Sequence, residues 1–300
     1  RLRTSREMAL RLKRVLKPLR FRYAGDLRRR DLRLLFDATA DRGKRREAEK
    51  QRQMVQGMFR WAVSQDIVEI DPTMGLKSYD YYRRRDRVLA PEEIKLFWEW
   101  LGTCGMASDY AEALRLQLAT GARIGEVVGM SVGEVDRSTW IWTLPAERSK
   151  NGRSRQTPLV GLAREIVDAR LNGVAGGPLF STEKRKALTS NCVGSLLVKR
   201  RNSMSIPHFT SHDLRRTVAT QMADLEIPED VIAKVLGHES GGKEARTLMR
   251  HYVRSGFIEV KARALELWDR QLRCIIDRTA MPVTFLPLLE GRRAGVQSEP

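Results

Sequence analysis

The sequence predicts a mainly α-helical protein with a small antiparallel sheet, divided into a basic N-terminal part and a larger C-terminal part. Apolar residues recur at helical spacing through most of the 300 residues. One stretch, residues 138–160, changes to the alternation that is typical of a β-hairpin. Charge separates the two parts: residues 1–88 carry 25 lysines and arginines against 12 aspartates and glutamates, whereas residues 89–300 carry 30 against 25.

The overall composition limits the kinds of partner and compartment. A net charge of +18 concentrated in one part of the chain favours a polyanionic partner, most simply nucleic acid. A solvated charged surface is the alternative, and an anionic membrane fits less well because no helix pairs a basic face with a broad apolar one. The three cysteines are few and far apart in sequence, which favours a reducing compartment over a disulfide framework.

The first part, residues 1–76, contains three helical patterns, at residues 5–16, 29–40 and 46–66. On the third helix we expect a core face made of Met54, Met58, Trp61 and Ala62. Pro72 and Gly75 then interrupt regular structure.

Residues 77–90 are the predicted linker, because three tyrosines and a run of arginines there interrupt the helical pattern. Such a segment fits contact with a phosphate backbone, and a solvated linker is the alternative. At the other end of the first part, the chain begins at Arg1 with no signal-peptide pattern. We therefore expect that N-terminal residues have been lost.

The second part, residues 91–275, begins with a helix that has Pro91 in its first turn. A helix over 108–119 and a short one from residue 123 follow. The alternating stretch then predicts a hairpin whose turn holds Asn151-Gly152, a dipeptide that tolerates the positive φ of a type I′ turn. The chain is again helical to about residue 274.

Residues 276–300 are a predicted irregular C-terminal tail, and the last third of the stretch from residue 279 has the composition of a disordered segment. The apolar segment 281–289 is a candidate for docking on a neighbouring protomer. Folding back on its own domain is the equally weighted alternative.

All four histidines fall between residues 208 and 251, so a metal site must be weighed first. His208 and His212 are four residues apart, as two ligands on one helix face would be. However, Pro207 precedes His208, and Thr210 or Ser211 fits the N-cap of the helix that carries His212. We therefore expect no metal site. The chain also has no phosphate-binding glycine loop and no clustered carboxylates, so we expect no cofactor.

Tyr252 is surrounded in sequence by Arg250, His251 and Arg254, which is unusual company for a packing tyrosine. A phenol has an ordinary pKa of about 10 and needs a base or a positive field to act as a nucleophile. A phosphodiester under attack needs donors that match its oxygens, and arginine guanidinium groups fit best. The departing oxygen needs a general acid.

The sequence offers candidates for each of these roles in short motifs: Arg123 in TGARIGE, Lys150 in the hairpin turn, His212 and Arg215 in SHDLRR, His238 in LGH, and Tyr252 in RHYVR. Taken singly, each has an ordinary structural alternative. Arg123 can pair with Glu126, and His212 can cap its helix. Lys150 can be a solvated turn residue. The complete set in this order favours the functional interpretation.

The ordered motifs resemble those of the tyrosine recombinase family, the integrases of phages and genomic islands. The resemblance covers about residues 90–275, and residues 1–76 are similar to the family's core-binding domain. It implies a helical core-binding (SAM-like) domain followed by a tyrosine-recombinase catalytic domain. One departure is the separation of fourteen positions between His238 and Tyr252, which is longer than in many relatives.

The resemblance implies a site-specific recombinase or integrase that cleaves and rejoins DNA through a 3′-phosphotyrosyl intermediate. The implied roles are phosphate binding by Arg123 and Arg215, acid–base or phosphate contact by His212, protonation of the 5′ oxygen by Lys150, phosphate contact by His238, nucleophilic attack by Tyr252, and support of the site by Glu126. No metal or other cofactor is implied.

The resemblance further implies double-stranded DNA attachment sites as the substrate and a tetramer on DNA. DNA-bending accessory proteins and a bacterial cytoplasmic, nucleoid-associated location are also expectations. Two alternatives stay open. One is a type IB topoisomerase-like enzyme with the same cleavage chemistry, and the other is a catalytically silent DNA-binding regulator of the same fold.

Overall fold

The computed structural model describes residues 2–79, 86–149, 152–182, 186–237 and 256–279. The chain divides into two compact units, Arg1–Arg85 and Asp86–Pro300. The described residues are mainly helical with one small antiparallel sheet, which confirms the predicted fold class. None of the helices in these ranges combines the length and the apolar character needed to cross a bilayer.

The first unit is built from α1 (Leu2–Val15), α2 (Arg29–Ala40) and α3 (Arg45–Ser64), with short 3₁₀ turns at Lys17–Leu19 and Ala24–Asp26. Helices α2 and α3 pack together. Their shared core consists of Leu32, Phe36, Ala48, Val55, Phe59, Ala62 and Val68.

The predicted core face of α3 is partly wrong. Ala62 is buried and Met58 packs partly against the core, but Trp61 is 58% exposed. The buried stripe instead runs through Val55, Phe59 and Ala62, at the i, i+4, i+7 spacing of one helix face. Trp61 lies one residue from that stripe, and one residue is a rotation of about 100° around a helix axis.

The described helices of the second unit are α4 (Pro91–Thr103), α5 (Ser108–Thr120), α6 (Ile124–Val128), α7 (Gly161–Asn172), α8 (Ser190–Arg200), α9 (Ser211–Asp224), α10 (Glu229–Leu236) and α11 (Gly256–Asp277). Two 3₁₀ turns, Val132–Glu134 and Arg201–Ser203, lie between them. The predicted helix start at Pro91 and the predicted helices near 108–119 and 123 are confirmed.

The sheet of the second unit contains the predicted hairpin and one further short strand. Strands β1 (Val135–Asp136), β2 (Ile141–Leu144) and β3 (Arg155–Pro158) are antiparallel in the order β1-β2-β3. Trp142 pairs with Thr157 and Leu144 with Arg155. Trp142 and Leu144 are both buried, as their alternation predicts. Gly152, in the turn of the hairpin, has the predicted positive φ, of 66°.

Helix α5 is the central element of the second unit's core. It packs against α6, α7, α9 and α11, and the side chains of Ala113, Leu114, Leu116 and Leu118 are fully buried. The indole Nε1 of Trp268 on α11 donates to the Leu118 carbonyl oxygen at 2.9 Å. This buried hydrogen bond fixes α11, the helix that follows Tyr252 in sequence, to the centre of the unit.

The C-terminal end of α5 requires a glycine. Gly121 ends the helix at φ 64°, in the left-handed region. A Cβ atom on it would lie 2.8 Å from Leu236 Cδ2 and 3.0 Å from Val218 Cγ1. The absence of a side chain therefore lets the end of α5 approach α9 and α10, and this close approach positions the residues that follow.

Candidate active site

Arg123 is the N-cap of α6, in extended conformation. Its backbone N–H donates to Glu126 Oε2 at 3.2 Å, and its guanidinium Nη1 donates to Glu126 Oε1 at 2.9 Å. Glu126 is buried, whereas the Arg123 side chain is 32% exposed. The carboxylate therefore holds one edge of the guanidinium while the rest of the group faces solvent.

Arg215 lies on α9, the helix whose start was predicted at Thr210 or Ser211. Thr210 is the N-cap, and its N–H donates to Asp213 Oδ2 at 2.9 Å. Arg215 is 3% exposed, and its Nη1 donates to the Gly121 carbonyl oxygen at 2.8 Å. Its Nη2 donates to the carbonyl oxygen of Leu236, the last residue of α10. Arg215 thus connects the ends of α5 and α10.

Gln117 fixes the start of α9 to the segment that leads into Arg123. Its buried side-chain amide donates to the Ser211 carbonyl oxygen at 2.9 Å and to the Ala122 carbonyl oxygen at 3.3 Å. The two arginine-bearing segments are therefore held in a common position, although 92 residues separate them in sequence. Sequence reasoning missed Gln117 because a glutamine inside an apolar helix carries no local signal of such contacts.

A third arginine, Arg155, belongs to this cluster and was not predicted from the sequence. It is the first residue of β3, and its side chain is 11% exposed. Its Nη2 donates to Glu126 Oε2 at 2.7 Å, and its Nη1 donates to the Leu236 carbonyl oxygen at 3.0 Å. Glu126 therefore accepts from Arg123 and Arg155, and the Leu236 carbonyl accepts from Arg155 and Arg215.

The cluster has an excess of positive charge. Burial, reinforced by repulsion from Arg123 and Arg155, lowers the pKa of Arg215 to about 10. Burial alone would raise the pKa of Glu126, but the positive charge of Arg155 and the hydrogen bonds from Arg123 outweigh it, so this pKa is below its ordinary value. One ionised carboxylate among three guanidinium groups makes the region suitable for binding an anion.

His212 lies in the first turn of α9, three residues before Arg215, and is exposed at the surface. Its pKa is below the ordinary histidine value because part of the ring is removed from water, and because Arg216 and Arg215 repel a further positive charge. The ring is therefore mostly neutral at pH 7. A neutral imidazole has one donor and one acceptor nitrogen. The donor nitrogen can contact a phosphate oxygen, and the acceptor nitrogen can take up a proton.

The metal-site alternative rests on His208 and His212 sharing a helix face. His208 lies before α9, with its Nδ1 3.1 Å from the Phe209 carbonyl oxygen. The two histidines therefore do not share the face of one helix. Within the part of the chain that the structure describes, no group of three His, Cys, Asp or Glu side chains is arranged to hold a metal ion.

Lys150, His238, Tyr252 and the segment 281–289 lie outside the described residues. Arg148, two residues before Lys150, is described and is held by two contacts. Arg148 pairs with Glu134 and donates from Nη2 to the Glu126 carbonyl oxygen at 2.6 Å. The chain two residues before Lys150 is thus attached to the end of α6, the helix that carries Glu126.

Lys261 is a further cation next to the cluster that sequence reasoning missed. It lies on α11, and its Nζ donates to the Gln156 carbonyl oxygen of β3 at 2.9 Å. Burial, followed by repulsion from Arg155 and Lys234, lowers its pKa to about 8. In sequence it is one of several charged residues on an amphipathic helix, so nothing local distinguishes it.

Several known proteins are similar to this chain in sequence or in fold. The family model described as the phage integrase family matches residues 87–256. Tyrosine recombinase XerC of Roseiflexus castenholzii is 28% identical over 208 residues, which covers 62% of this chain and 62% of the relative. The chain therefore spans less than two thirds of the length of this relative.

Solved structures show the same fold at low sequence identity. A lambda integrase dimer bound to a COC′ core site has a TM-score of 0.65 at 18% identity, covering 80% of this chain and 92% of that one. The Tn1549 transposon integrase in complex with a circular intermediate DNA has a TM-score of 0.62 at 14% identity, with coverage of 80% and 92%. With a family model that matches more than half of its length, the chain belongs to the phage integrase family.

Proposed function

We propose that this protein is a site-specific DNA recombinase that cleaves and rejoins DNA through a 3′-phosphotyrosyl intermediate. The observation that carries the proposal is the pair of arginines Arg123 and Arg215. Arg123 caps α6 and Arg215 lies on α9, and both belong to a cluster that contains more positive than negative charge. A scissile phosphate is the anion that fits such a pair in this family, and XerC of R. castenholzii is a named tyrosine recombinase.

In the proposed mechanism, Arg123 and Arg215 bind the non-bridging oxygens of the scissile phosphate. Their hydrogen bonds strengthen as negative charge builds on these oxygens in the transition state. Neutral His212 donates to the phosphate or exchanges a proton during the reaction. Because the guanidinium groups are already fixed by Glu126 and by backbone carbonyl groups, little reorganisation is needed when the phosphate binds.

Cleavage requires a nucleophile and a leaving-group acid, and we assign these roles to Tyr252 and Lys150. The Tyr252 phenol gives its proton to a base, a role that we assign to neutral His212, and the phenol oxygen attacks phosphorus while the bond from phosphorus to the 5′ oxygen breaks. Lys150 gives that oxygen its proton, and His238 contacts the phosphate. Attack by a 5′ hydroxyl on the phosphotyrosyl bond then reverses the step, and the DNA is resealed without nucleotide hydrolysis.

The first unit is proposed to hold the DNA duplex. It carries most of the chain's net positive charge, and two of its aromatic side chains are highly exposed, Phe21 at 85% and Tyr23 at 82%. The Arg20 guanidinium lies over the Phe21 ring, with its Cζ atom 4.4 Å from the centroid. Cations beside exposed aromatic rings are suited to a phosphate backbone and its sugars.

The proposed assembly is a tetramer on two attachment sites. Lambda integrase is described as a tetramer bound to a Holliday junction. Strand exchange between two duplexes cleaves each of their strands once, so each strand needs its own active site and the assembly needs one protomer per strand. DNA-bending accessory proteins and a location on the bacterial nucleoid, in the cytoplasm, complete the proposal.

Covalent trapping tests this function. The protein is incubated in EDTA with a nicked suicide duplex that carries a sequence it binds, and denaturant-resistant adducts are measured. The proposal predicts an adduct with the wild-type protein and none with Tyr252→Phe. Wild-type protein that binds the duplex without forming an adduct would favour a DNA-binding regulator. Relaxation of supercoiled DNA with no site requirement would favour a type IB topoisomerase-like enzyme.

A further inference from the structure

We propose that Arg155 is a positioning residue for strand cleavage, which holds Glu126 and the end of α10 in the arrangement that the phosphate-binding arginines require. This inference rests on the proposed recombinase function. Arg155 is not among the residues that the family resemblance assigned to the site. Its role is inferred from the contacts of its own side chain.

Arg155 connects three separate elements of the second unit. The residue belongs to β3, Glu126 to α6 and Leu236 to α10. Its two terminal nitrogens donate to the Glu126 carboxylate at 2.7 Å and to the Leu236 carbonyl oxygen at 3.0 Å. Because Glu126 also holds Arg123, and Leu236 also accepts from Arg215, one guanidinium contacts the supports of both phosphate-binding candidates.

Burial of the Arg155 guanidinium at this place costs free energy. Burial lowers its pKa, an effect that the Glu126 charge opposes and the Arg123 charge reinforces. Its Nε atom is buried, and among the described residues it has no hydrogen-bond partner. Apolar residues of similar volume often stabilise a protein as well as a buried ion pair does. Stability alone therefore does not explain why an arginine lies here. The need to hold Glu126 and the end of α10 in fixed positions does explain it.

The backbone at Gly237 leaves space for the Arg155 side chain. A Cβ atom on Gly237 would lie 2.8 Å from Arg155 Cδ and still closer to Nη1. Gly237 follows Leu236 directly and precedes His238. The side chain of Arg155 is therefore packed against the backbone at the point where α10 ends and the chain continues towards His238 and Tyr252.

Removal of Arg155 has a consequence that can be measured separately from folding. The Glu126 carboxylate would lose its largest source of positive charge, so its pKa would rise. Other charges around this carboxylate would stay: Arg123 on its own helix and Arg215 on α9. Lys261 on α11, which faces Arg155, would also remain. Protonation of Glu126 would weaken its hold on Arg123, so cleavage would fail at a higher pH than in the wild type.

The test uses Arg155→Met and Arg155→Lys in the full chain, with single-turnover adduct formation on the suicide duplex as the rate measurement. We expect about a 10- to 100-fold lower cleavage rate in Arg155→Met, because small misplacements of supporting groups have effects of this size. Binding of the duplex should change less than about threefold, since the Arg155 side chain is 11% exposed and its terminal nitrogens donate to protein acceptors. The acid limb of the pH–rate profile should move to higher pH.

Arg155→Lys keeps a positive charge but lacks the planar guanidinium that donates to both Glu126 and the Leu236 carbonyl oxygen. We expect it to return the acid limb towards the wild-type position while the rate stays below wild type. Arg137→Met is the matched control, because Arg137 belongs to the same unit and its side chain is 53% exposed. That variant should keep the wild-type rate and pH profile.

The melting temperatures of both Arg155 variants separate positioning from folding. A lower cleavage rate in Arg155→Met, measured well below its melting temperature and with DNA binding retained, would support the proposal. Loss of rate and DNA binding in parallel, with an unmoved acid limb in both Arg155 variants, would overturn it and leave Arg155 as a packing residue. Absence of an adduct from the wild type on bound DNA would instead refute the proposed function, and this inference with it.

Discussion

Glu126→Gln is the substitution that most directly tests the buried charge arrangement. It keeps the shape of the side chain and removes one negative charge. The carboxylate accepts the Arg123 backbone N–H at 3.2 Å, Arg123 Nη1 at 2.9 Å and Arg155 Nη2 at 2.7 Å. An amide has one acceptor oxygen and presents donor hydrogens in place of the other, so at least one guanidinium would face a donor.

The expected loss of stability follows from burial. Glu126 is 5% exposed and the Arg155 side chain 11%. Removal of one partner of a buried ion pair costs about 3–5 kcal/mol, because the other charge remains buried without compensation. For a unit of this size, each kcal/mol corresponds to about 2–4 °C in melting temperature, so we expect a decrease of roughly 6–20 °C.

Thermal and urea unfolding of Glu126→Gln, with Asp168→Asn as control, measure this loss. Asp168 pairs with Arg137 at 2.8 Å, but the two side chains are 42% and 53% exposed. An exposed pair of this kind contributes about 0.2–1 kcal/mol. If Glu126→Gln loses no more stability than Asp168→Asn, the carboxylate is not a buried counter-charge and the reasoning is wrong.

The same pair of proteins gives a pH dependence with a definite sign. The folded-state pKa of Glu126 is below its ordinary value of 4.5. Its contribution to stability is therefore fully present above that ordinary value and is lost as pH falls through the folded pKa. The difference in unfolding free energy between wild type and Glu126→Gln should shrink under acid conditions. A difference that stays constant down to the folded pKa would contradict the assignment.

Three further predictions concern the cations of the site. Arg215→Lys should lower the single-turnover cleavage rate by about 10²- to 10³-fold, because one ammonium cannot contact two carbonyl groups and the phosphate together; a rate within threefold of wild type would contradict this. The rise in melting temperature on replacing chloride by sulfate at equal ionic strength should be larger in wild type than in Arg215→Lys, because bound anion offsets the burial and repulsion that lower the pKa of Arg215, whereas the general effect of sulfate acts on both proteins; equal rises would argue against an anion site. Stability should rise with pH through the window below pH 6.5, because His212 binds fewer protons folded than unfolded; urea unfolding of His212→Gln should show a weaker rise.

The sequence predicted those parts of the fold that depend on local chemistry. Pro91 at the first turn of α4 and Thr210 before α9 are signals that act within a few residues, and both helices begin where these signals place them. The hairpin was predicted for the same reason, since alternation and a glycine turn are local properties. Strand β1, with only two residues, is too short to have a pattern.

The supporting residues of the site could not be predicted because their contacts are distant in sequence. Arg155 contacts a carbonyl group 81 residues away, and Gln117 contacts one 94 residues away. Nothing next to either residue indicates these partners. The resemblance identified Arg123, Glu126 and Arg215 from their motifs, but the buried cluster that connects them emerges only when the ends of α5, α6 and α10 meet.

The proposed mechanism requires Tyr252 to become covalently joined to DNA, and peptide mapping of the trapped adduct identifies the residue that carries the bond. The adduct formed on the suicide duplex is digested with nuclease and trypsin, and the nucleotide-bearing peptide is identified by mass spectrometry. Cleavage after Arg250 and Arg254 releases residues 251–254, which contain Tyr252. We expect a nucleotide joined through a 3′ phosphate to that tyrosine. A nucleotide attached to any other residue, or an adduct of equal yield from Tyr252→Phe, would contradict it.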